Sequence, residues 1–306
     1  MKADEEAVHA LAHAINAHLG SIGQGKAVSF IDEPQPKLAS EEVHRLAADI
    51  DGGDLDTLLV LGGNLAYDAP ADLDLAGLLD GVDMVAYLSL YATETSRHAD
   101  WMLPMSHALT SWGDGRGWDG TTYIRQPQIM PLYAGRSDIE LLGMVADVEV
   151  GDGYALTYAT FADGSATAKP AWRKALSDGE IADSAAPAVA AAIKPDAGSH
   201  ATAFRAPNGF ELTFQPSRQT YDGRFANNAW LQEVPEPLTK QTWGNAALMN
   251  IHDAERLGLM PVGTMWGPEY KYIRVTVGRV DVDLPVYPMP GQARGSIAVA
   301  LGYGRT

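Results

Sequence analysis

Three stretches of this 306-residue chain carry side chains whose types and spacing could do chemistry. The first is Gly62-Gly63-Asn64, which follows the apolar run Leu58-Leu-Val-Leu61. Paired glycines let a backbone turn tightly or approach a ligand closely, and Asn64 adds an amide that both donates and accepts hydrogen bonds. The second is Ser111–Gly120, with four glycines, two tryptophans, Asp114 and Arg116. Such a loop can wrap a phosphate or a nucleotide. It lacks the Lys-Ser/Thr ending of a P-loop, which speaks against Mg-nucleotide hydrolysis; the other reading is a long turn leading to a strand at Thr121–Arg125. The third is Ser106-His107 with nearby Ser111, which are nucleophile-like residue types. No Gly-x-Ser-x-Gly elbow surrounds them, so they read as structural. His9 and His13 stand four apart, one turn after Glu5, at metal-ligand spacing for a helix. No further ligand is evident nearby, and a polar helix face is the simpler reading.

The elements that must position these residues follow from periodicity. Asp4–Leu19 is an amphipathic helix pattern stopped by Gly20, and Ser40 is a suitable N-cap for a helix over 41–50. Strands are expected at Ala27–Ile31, Leu55–Leu61, Met84–Leu90 and Ala99–Pro104, with helices at Asp72–Leu79 and Arg136–Ala146. The continuous apolar run at 58–61 predicts a parallel strand covered on both faces. Helices alternating with strands predict an α/β unit with a mainly parallel, partly doubly wound sheet, in which ligands bind beyond the carboxyl ends of the strands. Residues 151–207, rich in Ala, Gly, Ser and Asp, read as a linker or insertion with one or two helical turns. Beyond them, strands at 209–216, 272–277, 280–286 and 296–300, a capped helix at 250–258 and turns at Pro288, Pro290 and Gly291 predict a small β-barrel. The organisation expected is an α/β domain over 1–150, the linker over 151–207 and the barrel over 208–306.

Composition narrows the function classes. The chain has no cysteine, which removes disulfides, thiolate zinc sites and cysteine-ligated iron–sulfur clusters within it. Net charge is −17. Residues 1–150 hold 8 Lys and Arg against 24 Asp and Glu, and the remainder 14 against 15. So acidic a first half disfavours nucleic acid and anionic membrane surfaces as partners. No run of about 18 apolar residues predicts a membrane span, and the acidic start does not resemble a signal peptide.

Several pieces, in shared order, resemble the molybdopterin oxidoreductase superfamily. Val60-Leu-Gly-Gly-Asn64 looks like its strand and G-x-N-P turn, with Leu65 in place of proline. Glu94-Thr-Ser96 followed by Ala99-Asp100 and Leu103-Pro104 resembles its E-T-A…A-D-x-x-L-P segment, and Trp112–Gly120 stands where its G-T-x-x-N-x-E-G-R loop falls. Asn250–Leu259 is similar to N-P-x-D-A-x-x-L-G-I, and Leu301-Gly-Tyr-Gly-Arg305 to the closing G-x-G-R. Tyr67–Asp74, Arg224–Gln232 and Pro237–Lys240 resemble more closely the large iron–sulfur subunit of alternative complex III, whose molybdopterin-like region is regarded as lacking the cofactor.

The resemblance implies an α/β domain followed by a double-psi-like β-barrel. It also implies a structural, non-catalytic module of a membrane-associated quinol-oxidising respiratory complex on the periplasmic side. Its partners would be an iron–sulfur, ferredoxin-like region or subunit and other subunits of the complex. No cofactor would be bound by this chain. The alternative is the cofactor-binding half of a molybdenum enzyme whose metal ligand comes from another chain. Gly62, Gly63, Asn64, Thr95, Asp114 and Arg116 would then hold molybdopterin guanine dinucleotide. Against the family pattern, the metal-ligating and cluster-holding regions are missing from the sequence, which reads as an excised segment or one product of a split gene.

Overall fold

The structure is a computed structural model describing residues 2–23, 25–32, 40–148, 151–165, 167–190, 209–265, 267–278 and 280–306. The chain divides into two compact units, Met1–Phe204 and Arg205–Thr306.

In the first unit α1 (Lys2–His18), β1 (Phe30–Ile31), α2 (Ser40–Asp51), β2 (Thr57–Leu61), α3 (Leu65–Asp68), α4 (Leu75–Leu79), β3 (Met84–Ser89) and β4 (Trp101–Pro104) follow one another. The strand pair β2–β3 and the pair β3–β4 are both parallel, with Thr57 opposite Met84 and Ala86 opposite Trp101. The expected helix over 72–79 is broken: Asp74 takes a left-handed conformation (φ 45°), and α4 begins after it. The sheet is organised around β3, not β2. Val85, Tyr87 and Leu88 are fully buried, whereas in β2 only Val60 is. The apolar run at 58–61 belongs to an outer strand of three, so the two-sided coverage expected of it falls to its neighbour. Val60, Val85 and Tyr87 pack with Ala47, Ile50, Leu75 and Leu79 of the adjoining helices into one core.

Next come β5 (Gly113–Arg116), β6 (Thr122–Arg125), α5 (Asp138–Val145), α6 (Gly153–Ala162), α7 (Lys169–Asp178) and β7 (Ala188–Val189), which pairs antiparallel with β1. The capping box in which Ser137 and Glu140 satisfy each other starts α5. Two helices thus form inside the stretch read as a linker. They close over a separate aromatic core, in which Trp172 meets Phe161 at 5.1 Å and Tyr154 at 5.9 Å between ring centroids.

The second unit holds β8 (Glu211–Gln215), α8 (Ala229–Glu233), β9 (Ala247–Asn250), α9 (Ile251–Arg256), β10 (Val262–Thr264), β11 (Gly267–Glu269), β12 (Tyr272–Val277), β13 (Val280–Met289) and β14 (Ser296–Ala300). Five strands form a curled sheet in the order β12-β13-β9-β14-β8. The barrel expected here is a half-barrel: among the described residues β8 and β12 remain its outer strands. Pro288 is a strand residue and not the turn expected. It lies where β13 pairs only with β9, so its missing N–H breaks no ladder on the other side.

Asp253 of α9 ties this sheet together. Its carboxylate accepts a hydrogen bond from Gly295 N–H at 2.7 Å, just before β14, and from Arg256 at 3.0 Å. The Gly295 bond, then the Arg256 bond, hold its pKa below the ordinary carboxylate value. A depressed folded-state pKa contributes stability that is present above the unfolded value, about 4, and lost as pH falls through the folded one. Acidification below about pH 4 is therefore expected to lower the urea midpoint of the second unit. Asp253→Asn is expected to lower that midpoint at neutral pH and to flatten its acid limb.

Candidate functional site

The glycine turn after β2 is where sequence and fold place a site, beyond the carboxyl end of a parallel strand. Gly62 and Gly63 both have positive φ (69° and 71°), which glycine adopts without strain. A side chain at Gly63 would meet no atom within 4 Å. The turn brings Asn64 (7% exposed) against Glu94 (9%) and Thr95 (0%), which begin the helical turn after β3.

The side-chain oxygens of Asn64 and Thr95 are engaged inside the protein. Asn64 Nδ2 donates to Glu94 Oε2 at 2.7 Å. Asn64 Oδ1 accepts from Thr95 N–H at 3.1 Å and from Thr95 Oγ1 at 2.8 Å. Thr95 Oγ1 also accepts from Ala66 N–H at 3.1 Å. Asn64 N–H donates to the carboxylate of Asp68 at 3.0 Å. Asp68, the last residue of the four-residue α3, thus folds back onto the turn. Tyr87, buried at the centre of β3, donates its hydroxyl to Gly63 O and shares a 2.9 Å hydrogen bond with Thr93 Oγ1. Sequence reasoning places Glu94 in a short turn but misses its contact with Asn64 and that of Tyr87 with Gly63. An aromatic at a core position of β3 was the available signal, since a buried tyrosine hydroxyl needs a partner.

Asn64 and Thr95 are thus brought together, but Asp114 and Arg116 are not. They are exposed on β5, which pairs antiparallel with β6, so the glycine-rich stretch is a hairpin. Arg125 on β6 covers Gly113, where an added Cβ would lie 2.6 Å from its guanidinium. Among the described residues no hydrogen bond or ion pair joins Asp114 or Arg116 to the Gly62–Asn64 turn. Trp118 at the hairpin tip is fully exposed, whereas Trp112 packs in the aromatic core.

Other polar residues of the motif stretches, and His107 and His13, have local partners. Asp100 accepts from Val85 N–H at 2.8 Å and fixes the entry to β3. Arg224 binds Asp222, at 2.7 Å through Nη2, and Asn228 caps α8 by accepting from Leu231 N–H at 3.1 Å. His107 Nδ1 accepts from Leu109 N–H at 3.1 Å, so it is not paired with Ser106 as a general base. His13 packs against the Phe30 ring at 5.4 Å. Among the described residues no group of three or more His, Cys, Asp or Glu is arranged to hold a metal ion, and no helix is long and apolar enough to cross a membrane.

No protein-family model matches the chain, and no curated protein does. Among solved structures it is similar to acetylene hydratase from Pelobacter acetylenicus, with a TM-score of 0.55 and 16% identity. The match covers 84% of this chain and 39% of that one, so the chain spans well under half of that structure's length. Over the matched part the chain shares the fold of that structure. The likeness is one of backbone architecture, and it runs over most of the described elements.

Proposed function

We propose that the chain is a non-catalytic scaffold, derived from a molybdopterin oxidoreductase and holding no pterin of its own. It would supply packing and docking area within a membrane-associated, quinol-oxidising electron-transfer complex on the periplasmic side. Its partners would be an iron–sulfur, ferredoxin-like region or subunit and other subunits of that respiratory complex. The observation that carries this reading is the closed junction of Asn64, Glu94 and Thr95. A cofactor-holding turn needs donors and acceptors aimed outward; here the side chains of Asn64 and Thr95 face one another, and the Asn64 N–H is taken by Asp68. Asn64 and Thr95 therefore do not fit molybdopterin guanine dinucleotide as contacts. The shared fold and the motif order support the ancestry. The double-psi arrangement implied by the motifs around Asn250 and Gly302 belongs to this reading too.

A second reading keeps the pterin dinucleotide. It is favoured by the open space at Gly63 and by the exposed guanidinium of Arg116, a suitable phosphate partner. One experiment separates the two. The chain is purified from cells that make the cofactor and assayed for molybdenum, tungsten and released pterin. The scaffold reading expects none at stoichiometric level, with iron and acid-labile sulfide accompanying the chain only in its native assembly. Stoichiometric pterin that falls on Arg116→Ala would establish the second reading instead.

A further inference from the structure

Beyond the carboxyl ends of β3 and β4 lies an open groove of about 630 Å³, separate from the closed Asn64 junction in the residues that line it. Its size is that of a small-molecule site. Two segments of irregular backbone form its walls, 105–110 and 128–135. They are stitched together by main-chain hydrogen bonds: Ser106 N–H to Arg136 O at 2.8 Å, Arg136 N–H to Pro104 O at 3.0 Å and Gln128 N–H to Leu109 O at 2.8 Å. Gly135 lies so close to the backbone at Met105 and Ser106 that an added Cβ would come within 3.0 Å of it. Backbone bonding fixes the two segments against each other, so the apolar surface they present is a formed feature.

The lining selects a chemistry. It contains Met105, Leu109, Ile129 and Leu132, among other apolar groups, and no Asp, Glu, Lys or Arg. An anionic or cationic ligand would lose hydration there without meeting a counter-charge. The polar groups are few and mostly committed. Ser89 Oγ donates to Tyr91 O at 2.9 Å, and Thr110 Oγ1 to His107 O at 2.9 Å. His107 Nδ1 is fixed as an acceptor by Leu109 N–H, so the neutral ring carries its proton on Nε2. Ser106 Oγ has no hydrogen-bond partner among the described residues. His107, Ser106 and the hydroxyls of Tyr91 and Tyr133 are therefore the donors left for a ligand, in an otherwise apolar, uncharged wall.

We propose that this groove binds an uncharged, largely apolar small molecule that presents a carbonyl oxygen to His107. The proposal does not depend on the scaffold reading, which concerns a different set of residues. Nile red, an uncharged aromatic dye with one carbonyl, is the probe. Titrated into the intact chain, it is expected to bind at one saturable site with a blue-shifted emission. Leu132→Glu, at a position 77% exposed, replaces an apolar contact on the rim by a carboxylate and is expected to weaken binding about 3- to 10-fold. Trp230→Glu, at an exposed aromatic outside the groove, is expected to leave it unchanged. His107→Leu is expected to weaken binding about 3- to 10-fold, and His107→Gln, which keeps a donor, to restore most of it. Equal weakening by Leu132→Glu and Trp230→Glu would overturn the proposal, because the dye would then be reporting general surface apolarity. Competitive displacement by guanosine monophosphate would overturn it in favour of an anionic nucleotide. A dimer that Leu132→Glu dissociates, with no saturable dye site, would overturn it in favour of contact between copies of the chain.

Discussion

Asn64→Asp is expected to destabilise the first unit by about 3–5 kcal/mol at neutral pH, more than Asn64→Ala at about 2–4 kcal/mol. Alanine removes a donor to Glu94 and leaves the Thr95 N–H, in a residue with no exposure, without its acceptor. Aspartate is nearly isosteric but replaces the Nδ2 donor by a carboxylate oxygen facing Glu94, where the present hydrogen bond is 2.7 Å. Two carboxylates at that separation cannot both stay ionised in a buried site. One must hold a proton, so its folded-state pKa rises above the unfolded value. A raised pKa contributes stability that is full below the unfolded value and lost as pH rises through the folded one. The aspartate variant should thus recover towards pH 4 and be worst at pH 7, while the alanine variant, which only removes a donor from Glu94, should show a weaker trend of the same sign. Hydrogen exchange of peptides covering 57–66 and 84–96, read at both pH values, separates the two. Identical protection in both variants at both pH values would mean that Asn64 does not face Glu94.

The same junction shows how far a sequence can be read. The glycine pair, the strand before it and the polar residue after it are local, and each was legible. The partner that decides what Asn64 does stands 30 residues further on, in another turn. Nothing in the spacing of Asn64 says that its amide points inward to Glu94 and not outward to a ligand. The parallel strands bring two turns side by side at their carboxyl ends, and that juxtaposition converts a candidate binding residue into a latch. Tyr87 belongs to the same lesson: it reads as an apolar strand position, yet its hydroxyl reaches back to the Gly63 carbonyl.

Elements with strong local signals stood out for the same reason. Ser137 with Glu140, Asn250 before α9 and the alternating run at 272–277 carry their own caps or periodicity. The helices α6 and α7 carry quieter marks, the Asp152 cap of α6 and Gly179 at the end of α7, inside a stretch rich in small residues. Their stability comes from Tyr154, Tyr158, Phe161 and Trp172 closing with Trp112, which is more than 40 positions earlier than Tyr154. Amphipathic stripes are read from one segment, but an aromatic core assembled from three is not. The half-open sheet of the second unit follows the same logic: β9 is only four residues long, and its place between β13 and β14 is set by ladder partners far along the chain.

Gly302→Ala is expected to cost the second unit about 3–4 kcal/mol, against about 1–2 kcal/mol for Gly304→Ala two residues later. Both glycines have positive φ, 90° and 78°, so both substitutions force alanine into a conformation it disfavours. Only Gly302 is also crowded. A Cβ there would lie 2.5 Å from Thr220 Oγ1, 2.7 Å from Gly223 N and 2.8 Å from Tyr221 O, whereas at Gly304 nothing lies within 4 Å. Two of the three crowding atoms are backbone, so no rotamer change relieves them. The turn they belong to is itself pinned. Ser217 Oγ accepts from Gln219 and Thr220 N–H at 3.1 Å, and the chain end is held down by Tyr303 to Gln219 and Arg305 to Gly223, each at 2.7 Å. Making room for a methyl group would therefore lift the whole segment after β14 off the 217–223 turn, and those two bonds with it. Urea unfolding of both variants checks this directly. Equal losses for Gly302→Ala and Gly304→Ala would mean that backbone conformation alone sets the cost and that the chain end does not dock as closely as these distances require.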